Sequence, residues 1–170
     1  AVTITASQSA SGNFGASGTA TMRFTVLPAT PTLATWGNIE KSFGEATFNL
    51  TPPSSSSAGT WSYVSSNPTV ATITGNNVTI LGAGQTTIIA TQAANWNWSE
   101  ATTQLTLNVL PITPTISGFT ALTAVVGDPA ITITAPTSNS TAPWTYTSSN
   151  SNIATISGGT LAVVDSGTAT

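Results

Sequence analysis

The chain contains 170 residues with a formal net charge of -3, and only 4% of them are charged, Arg23 and Lys41 being the two cations. Without a basic patch it is not expected to bind nucleic acid, and without a run of about 18 apolar residues it is not expected to insert into a membrane. Histidine and cysteine are both absent, which removes the usual general base, catalytic triad, disulfide framework and thiolate metal site, so the chain is predicted not to be an enzyme.

A repeat with a spacing of 83 residues organises the chain, and such a repeat is the main indication of the fold. The segment GTWSYVSSNPTVATITGNNVTILGAG at 59–84 returns as APWTYTSSNSNIATISGGTLAVVDSG at 142–167. The linker VLPATPT, which contains Pro28, returns as VLPITPT, which contains Pro111. Each of these prolines is therefore predicted to be a linker residue at the start of a new repeat.

Three parts of the repeat array follow one another along the chain. The opening segment VTITASQSASGNFGASGTATMRFTVLP resembles TTIIATQAANWNWSEATTQLTLNVLP, with Gln8 aligned to Gln92. Residues 1–27 are therefore predicted to be the C-terminal strands of a preceding repeat, or of one that a partner completes. Residues 28–110 are predicted to form a complete repeat, and residues 111–170 a repeat that lacks its last strands.

Within each repeat, apolar residues alternate with polar ones, which is typical of half-buried strands rather than helices. Trp61 and Tyr63 alternate in this way, and turn residues such as Asn67-Pro68 recur at strand-length intervals. About seven short strands in roughly 80 residues is the pattern of a sandwich. The chain is therefore predicted to be all-β, built of tandem β-sandwiches with Greek-key connections and no helix of note.

The sequence of residues 61–101 is similar to a known family. The string WSYVSSNPTVATITGNNVTILGAGQTTIIATQAANWNWSEA closely resembles the bacterial immunoglobulin-like domain in its group-2-like form, which occurs in tandem on adhesins, large surface proteins and phage virion proteins. The preceding KSFGEATFNL also fits, so the resemblance covers nearly the whole chain and implies tandem immunoglobulin-like sandwiches. The third copy departs from the pattern at 151–153, where Pro68 has no counterpart, and at 125–131, where VVGDPAI replaces KSFGEATF.

The five acidic residues are scattered, and only Glu40 and Glu45 lie near each other, on either side of Lys41. A hydrolase would need a paired acid and base across the fold, whereas edge charges that discourage unwanted strand pairing are the favoured interpretation. Calcium is the one metal to consider, because it accepts carboxylates and backbone carbonyls. Too few oxygen ligands converge near Asp128 or Glu45, so neither a metal nor a cofactor is predicted.

Four aromatic residues recur at one phase of the repeat, Trp61 with Trp144 and Tyr63 with Tyr146. Such residues can act as platforms on which sugars stack, but their repetition favours a place in the core between two sheets. All four are predicted to be structural core residues.

Three further tryptophans, Trp36, Trp96 and Trp98, form a candidate binding patch. Trp98 aligns with Phe14 of the partial copy, whereas Trp96 has no aromatic counterpart. An exposed cluster of the three would suit a glycan or a neighbouring domain, and packing of the loops is the alternative interpretation.

The two ends of the sequence fall at the same phase of the repeat, since Thr170 aligns with Thr87. Two interpretations fit this arrangement. In the first, the chain is a window on a longer repeat array. In the second, residues 1–26 of one copy pair into the incomplete domain of the next, as in donor-strand addition, and head-to-tail contacts that do not close make a filament.

The predicted function is mechanical. Repeated sandwiches joined by proline-bearing linkers form a semi-rigid stalk or filament, whose partners are other copies of the same repeat or chain arranged head to tail. The low charge and the abundance of Thr, Ser and Asn favour an extracellular location, on a cell or virion surface. The alternative function is an adhesin or phage fibre module that binds a glycan or a receptor.

Overall fold

The computed structural model describes residues 1–170 and contains fourteen strands and no helix, which confirms the all-β prediction. The first nine strands are β1 Val2–Ala6, β2 Ala20–Phe24, β3 Ile39–Ser42, β4 Phe48–Asn49, β5 Trp61–Ser65, β6 Ala71–Thr74, β7 Asn77–Ile80, β8 Gly84–Gln92 and β9 Ala101–Leu110. The other five are β10 Ile116–Ser117, β11 Ile131–Thr132, β12 Thr137–Ser138, β13 Ala154–Ser157 and β14 Thr160–Val163.

Two compact units make up the chain, Ala1–Pro111 and Ile112–Thr170. In the first unit, β1 and β2 form a two-stranded hairpin, and the other strands form a four-stranded and a three-stranded sheet. The strand order is β3-β9-β8-β5 in the larger sheet and β4-β7-β6 in the smaller one. Strands β3 and β9 pair in parallel, whereas the other pairs of this unit are antiparallel.

The two larger sheets of the first unit share one hydrophobic core. Buried and accessible residues largely alternate along β8 and β9, because successive side chains of a strand point to opposite faces. Burial of a large aliphatic side chain stabilises a fold by about 1.5–3 kcal/mol. The core side chains are Ile88, Leu105, Leu107 and Val109 of the larger sheet, and Leu50, Val70, Ala71 and Val78 on or beside the smaller one. This arrangement is compatible with a β-sandwich.

Local hydrogen bonds close the turns on either side of β6. Before the strand, the carbonyl of Asn67 accepts from the N–H groups of Val70 and Ala71 at 3.1 and 3.2 Å. After it, Gly75 has a φ of 62°, a left-handed conformation that glycine adopts without steric cost. These two turns hold β6 and β7 side by side as an antiparallel pair.

The second unit repeats the smaller sheet of the first at a spacing of 83 residues. Strands β11, β14 and β13 form a three-stranded sheet in the order of β4, β7 and β6. The central strands have the same register: Leu161 pairs with Ile131 and Ile156, as Val78 pairs with Phe48 and Ile73. This half of the repeat therefore folds in the same way in both copies.

The second unit has no counterpart of the larger sheet. Residues 122–125 and 144–148 correspond to β3 and β5, but they form no strand. In the first unit these strands pair with β9 and β8, for which residues 112–170 hold no complete equivalent. None of the buried hydrophobic core residues lies in the second unit. Its exposed large apolar side chains include Phe119, Leu122, Val125 and Val126.

Candidate functional site

The first and last strands of the complete repeat, β3 and β9, run parallel and side by side. Ile39 pairs with Leu107, and the pairing continues to Ser42 with Leu110. Beyond β3, the N–H of Phe43 donates to the carbonyl of Leu110 at 2.9 Å. Because the strands are parallel, tension on the two ends of the repeat pulls β3 and β9 in opposite directions along one axis. The hydrogen bonds between them then bear the load together, in shear.

The start of the complete repeat is also bonded to the turn before β9. The N–H of Ala29 donates to the carbonyl of Asn97, and the N–H of Ser99 donates to the carbonyl of Ala29, both at 2.8 Å. Ala29 follows Pro28 directly, and Pro111 follows β9 directly, so the two predicted linker prolines flank this pairing. Both prolines are exposed.

The aromatic pair beside the core is Trp36 with Tyr63, whose ring centroids lie 5.9 Å apart at an interplanar angle of 38°. Both half-buried side chains pack against the hydrophobic cluster, and Trp36 Nε1 donates to the carbonyl of Thr51 at 2.9 Å. Burial raises the pKa of the Tyr63 hydroxyl above its ordinary value. In the second unit Phe119 and Tyr146 form the same pair, with centroids 6.3 Å apart. Trp36 was not predicted from the sequence to be a core residue. The sequence feature that indicates this role is the aromatic residue at the equivalent position of the next repeat, Phe119.

The four aromatic residues predicted for the core are all half-buried. Tyr63 packs against the buried cluster, whereas Trp61, at the start of β5, is not among the side chains packed there. Trp144 and Tyr146 lie in the second unit, which contributes no buried residue to the hydrophobic core. The aromatic side chains that pack against the core are thus Trp36, Phe48 and Tyr63, and Trp61 is not among them.

The three tryptophans of the candidate patch lie in different environments. Trp96, in the turn between β8 and β9, is 98% exposed. Trp98 is half-buried, and its backbone forms a bridge with Ala29. Trp36 packs against the core. Trp96, at 98% exposure, packs against neither Trp36 nor Trp98. The structure therefore does not bring the three together, and Trp96 alone has the exposure of a binding residue.

A buried glutamine, Gln92, anchors the loop before β5. Its side chain is 1% exposed, its Nε2 donates to the carbonyls of Ser57 and Gly59 at 3.0 and 3.1 Å, and its Oε1 accepts from Ser55 Oγ. Both polar atoms of the amide are thereby satisfied, as a buried position requires. From the sequence, Gln92 was used only to align the two hairpins. The glutamine at the equivalent position, Gln8, is the sequence feature that indicates a role common to both residues.

The acidic residues considered as calcium ligands bond to their own turns. Glu45 Oε1 accepts from the N–H of Ser42 at 2.6 Å, and Oε2 lies 2.9 Å from Lys41 Nζ. The hydrogen bond from Lys41, followed by the one from Ser42, lowers the pKa of Glu45 below its ordinary value. Asp128 repeats this turn, since its Oδ2 accepts from the N–H of Val125 at 2.8 Å. No group of three or more acidic side chains lies close enough together to hold a metal ion.

The second unit presents an apolar surface that includes residues 119–125 and 144–148, and we refer to it as the open face. Both segments correspond to parts of the first unit that pair with or pack against β8 and β9. A depression of about 350 Å³ adjoins the second segment, and it is lined by Tyr146, Thr147, Ser148, Ser151, Thr155 and Ile156. The open face thus coincides with the positions whose strand partners are missing.

Comparison with protein-family models, with curated proteins and with solved structures found no match to this chain. No helix in the structure has the length and apolar character that crossing a membrane requires. The features of the chain that bear on function are the strand pairing, the exposed apolar surfaces and the single exposed tryptophan.

Proposed function

We propose that residues 28–110 form an immunoglobulin-like β-sandwich and that residues 112–170 are the corresponding part of a second one, as in tandem bacterial immunoglobulin-like repeats. The strand order supports this proposal. Strands β5, β8 and β9 pair like strands C, F and G of the immunoglobulin fold, and β4, β7 and β6 pair like strands B, E and D. The first strand, β3, joins the C-F-G side instead of the sheet that strand A joins in constant-type domains.

The function proposed for the chain is to bear tension as a module of an extracellular fibre, stalk or filament. The observation that supports it is the parallel pairing of β3 with β9. Strands pulled apart from one end lose their hydrogen bonds one after another, whereas strands pulled in shear must break several together. The second arrangement raises the barrier to forced unfolding, and forced unfolding is governed by the rate over that barrier.

The proposed partners are further copies of the same repeat, joined head to tail. A load-bearing module needs no catalytic group, metal or cofactor, because its role depends on the strength of its fold. Repeats of this kind contact mainly their neighbours, so an array of them transmits force from one repeat to the next.

Single-molecule force spectroscopy tests this function. Pulling the chain by its ends is expected to unfold residues 28–110 in one event that releases a contour length of about 290 Å. Phe43→Pro removes the N–H that donates to Leu110, so it should lower the peak force, whereas Phe43→Ala keeps that N–H and should lower it much less. A featureless extension of the unaltered chain, or equal peak forces in the two variants, would contradict the proposal.

A second candidate function, glycan binding, is favoured by the exposure of Trp96. An indole that is 98% exposed at a turn offers both faces for stacking on a sugar ring. Titration with surface polysaccharides, followed by tryptophan fluorescence, is expected to show binding that Trp96→Ala abolishes and Trp98→Phe preserves. Equal binding by the unaltered chain and Trp96→Ala would exclude this role for Trp96.

A further inference from the structure

The β1–β2 hairpin has the same register as the β8–β9 hairpin of the complete repeat. Strand β1 aligns with β8 at a spacing of 84 residues, and β2 aligns with β9 at a spacing of 83. Val2 pairs with Phe24 as Thr86 pairs with Leu107. Ile4 pairs with Met22 as Ile88 pairs with Leu105, and Ala6 pairs with Ala20 as Ala90 pairs with Thr103. The β1–β2 hairpin thus has the strand pairing of β8 and β9.

One face of this hairpin is apolar and accessible. Val2, Ile4, Met22 and Phe24 occupy the positions of buried residues of the complete repeat, but they are 47–62% exposed. The opposite face consists mainly of threonines, together with Arg23. A contiguous exposed apolar face of this kind is characteristic of an interaction site.

The open face of the second unit lacks the two strands that this hairpin resembles. Residues 122–125 and 144–148 have the sequence of strands in the complete repeat, yet they have no strand partner. The hairpin is therefore complementary to the open face in two ways, since it supplies the two strands that pair with these segments in the complete repeat, and the facing surfaces of both are apolar.

We propose that the β1–β2 hairpin of one copy of this chain, the donor, binds the open face of a second copy, the acceptor, in the place that β8 and β9 take in the complete repeat. This inference rests on the proposed function, because it treats residues 112–170 as part of the same sandwich. Strand addition of this kind joins copies through main-chain hydrogen bonds. Because the contact is head to tail, it produces a filament wherever the rotation between copies does not close.

The complete repeat specifies the register of the contact. Tyr146 is expected to pair with donor Ala6, as Tyr63 pairs with Ala90 in the complete repeat. Leu122 is expected to pair with donor Phe24, as Ile39 pairs with Leu107. Residues 144–148 would pair in antiparallel fashion with donor β1, and residues 122–125 in parallel with donor β2. Both segments would thereby become strands, and the apolar faces of donor and acceptor would be buried against each other.

Gln8 provides the specific polar contact of this interface. Its counterpart Gln92 donates to two carbonyls of the loop before β5. The acceptor has a loop with the same local hydrogen bonds, in which the N–H of Ser140 donates to Ser138 Oγ at 3.0 Å and the N–H of Ala142 donates to Ser140 Oγ at 3.2 Å. Gln8 of the donor is therefore expected to donate to the carbonyls of Ser140 and Ala142.

The donated strand is expected to begin at Ile4. In the acceptor, the carbonyl of Thr170 accepts from the N–H of Ser149 at 2.8 Å, just as the carbonyl of Thr87 accepts from the N–H of Ser66 in the complete repeat. Thr170 therefore already occupies the position of Thr87. Residues 1–3 of the donor would compete for this place.

One substitution between the copies acts against the contact. The complete repeat has Gly59 at a position where an added Cβ would overlap the carbonyl oxygen of Ala93. The acceptor has Ala142 at this position, so the donor backbone must shift away near Ser9. Ala142→Gly removes this obstacle and is expected to tighten the association several-fold.

A complementation experiment with two variants tests the inference. Met22→Glu places a carboxylate on the apolar face of the hairpin and inactivates the donor, whereas Leu122→Glu inactivates the acceptor. By light scattering, each variant alone is expected to be a monomer of 17.1 kDa at concentrations where the unaltered chain forms oligomers. An equimolar mixture is expected to form a heterodimer of twice that mass and nothing larger, because one active donor meets one active acceptor.

Thr21→Glu and Thr123→Glu are the matched controls, each with the same substitution one residue away on the opposite face. Thr21 corresponds to Gln104, which is exposed, and Thr123 corresponds to Glu40, an acidic residue that the complete repeat already has at this place. Both controls are expected to oligomerise like the unaltered chain. Gln8→Leu is expected to weaken the association at least about tenfold, since it removes the donor to the carbonyls of Ser140 and Ala142.

Four results would overturn the inference. A mixture that remains monomeric, or an unaltered chain that is monomeric at every concentration, means that the hairpin does not bind a second copy. A mixture that grows beyond the dimer, or controls that behave like the test variants, means that the exposed apolar surfaces associate without register. Failure of the proposed function is observed separately, because the force peak of residues 28–110 involves neither Met22 nor Leu122.

Discussion

Residues 28–110 and 112–170 share most of their apolar pattern, yet only the first segment forms a hydrophobic core. Val78 is fully buried, whereas its counterpart Leu161 is partly accessible in an equivalent strand of an equivalent sheet. The first segment contains β8 and β9, which supply half of its core residues, and the second segment contains no complete equivalent of either. Burial in this repeat is therefore a property of the two sheets together and not of each strand.

The turns of the two segments are alike despite this difference. The carbonyl of Asn150 accepts from the N–H groups of Ile153 and Ala154 at 3.2 and 3.1 Å, close to the distances at Asn67 in the complete repeat. Gly158 has a φ of 55°, close to that of Gly75. Local turns thus depend on neighbouring residues, while strands such as β3 and β5 form only where a distant partner is present.

The largest expected difference between the two segments is in hydrogen exchange. In dilute solution, the amides of Ser62 and Val64, which point towards β8, are expected to exchange at least about a thousandfold more slowly, relative to unfolded rates, than those of Thr145 and Thr147. The physical reason is that β5 is paired with β8, whereas residues 144–148 have no strand partner. Mass spectrometry of peptides from the two segments measures the ratio. Similar protection of both segments at low concentration would contradict the comparison.

The next largest effect is expected at matched apolar positions of the two hairpins. Leu107→Ala removes a buried side chain and is expected to lower the free energy of unfolding by about 2–5 kcal/mol. Phe24→Ala, at the corresponding position of the β1–β2 hairpin, is expected to change it by less than about 0.5 kcal/mol in dilute solution, because Phe24 is exposed. Urea unfolding followed by tryptophan fluorescence compares the two. Equal losses would mean that the hairpin is already packed against a partner.

A third comparison uses the two glutamines at the same phase. Gln92→Leu leaves the carbonyls of Ser57 and Gly59 without their side-chain donor and is expected to cost about 1–3 kcal/mol. Gln8→Leu is expected to leave the stability of the monomer unchanged, because Gln8 is exposed. The same urea measurements decide this prediction. A negligible effect at Gln92 would show that water replaces the amide in that loop.

Much of the fold can be predicted from the sequence because the repeat displays each pattern more than once. The alternation at Trp61 and Tyr63 predicts a strand, and β5 lies there. The parallel pairing of β3 with β9 is not predictable in this way, because it joins residues far apart in the chain and β3 has only four residues. Whether a segment with strand-like sequence forms a strand also depends on that distant partner, as residues 122–125 demonstrate.

The candidate site is less predictable than the fold. The sequence groups Trp36 with Trp96 and Trp98 because all three lie outside the aromatic pattern at Trp61 and Tyr63. In the structure, Trp36 stacks on Tyr63, and the burial of an aromatic side chain depends on which distant residues it meets. The alignment of Trp98 with Phe14 marks a position shared by the two hairpins, because the carbonyls of Trp98 and Phe14 accept from the N–H groups of Asn95 and Ser11 at 2.9 and 3.0 Å.

The smallest expected effect concerns an ion pair that only the first segment contains. Glu45 bonds to Lys41, whereas the second segment has Ala124 at the position of Lys41. The pKa of Glu45 is lowered in the fold, so its carboxylate stabilises the fold above its ordinary pKa of 4.5, and this stabilisation is lost as the pH falls through the lowered value. Glu45→Gln should therefore reduce the urea midpoint slightly at pH 7.

The difference between Glu45→Gln and the unaltered chain should disappear in acid and shrink in high salt, because the pair is exposed and screened. Lys41→Met should remove most of this difference, since the hydrogen bond from Lys41 is the largest cause of the lowered pKa. A difference that grows as the pH falls would contradict the assignment. Asp128 closes the same turn in the second segment without a cation at the position of Lys41. The turn itself therefore does not require the ion pair. For this reason the ion pair is expected to contribute much less to the free energy of unfolding than the strands that only the first segment contains.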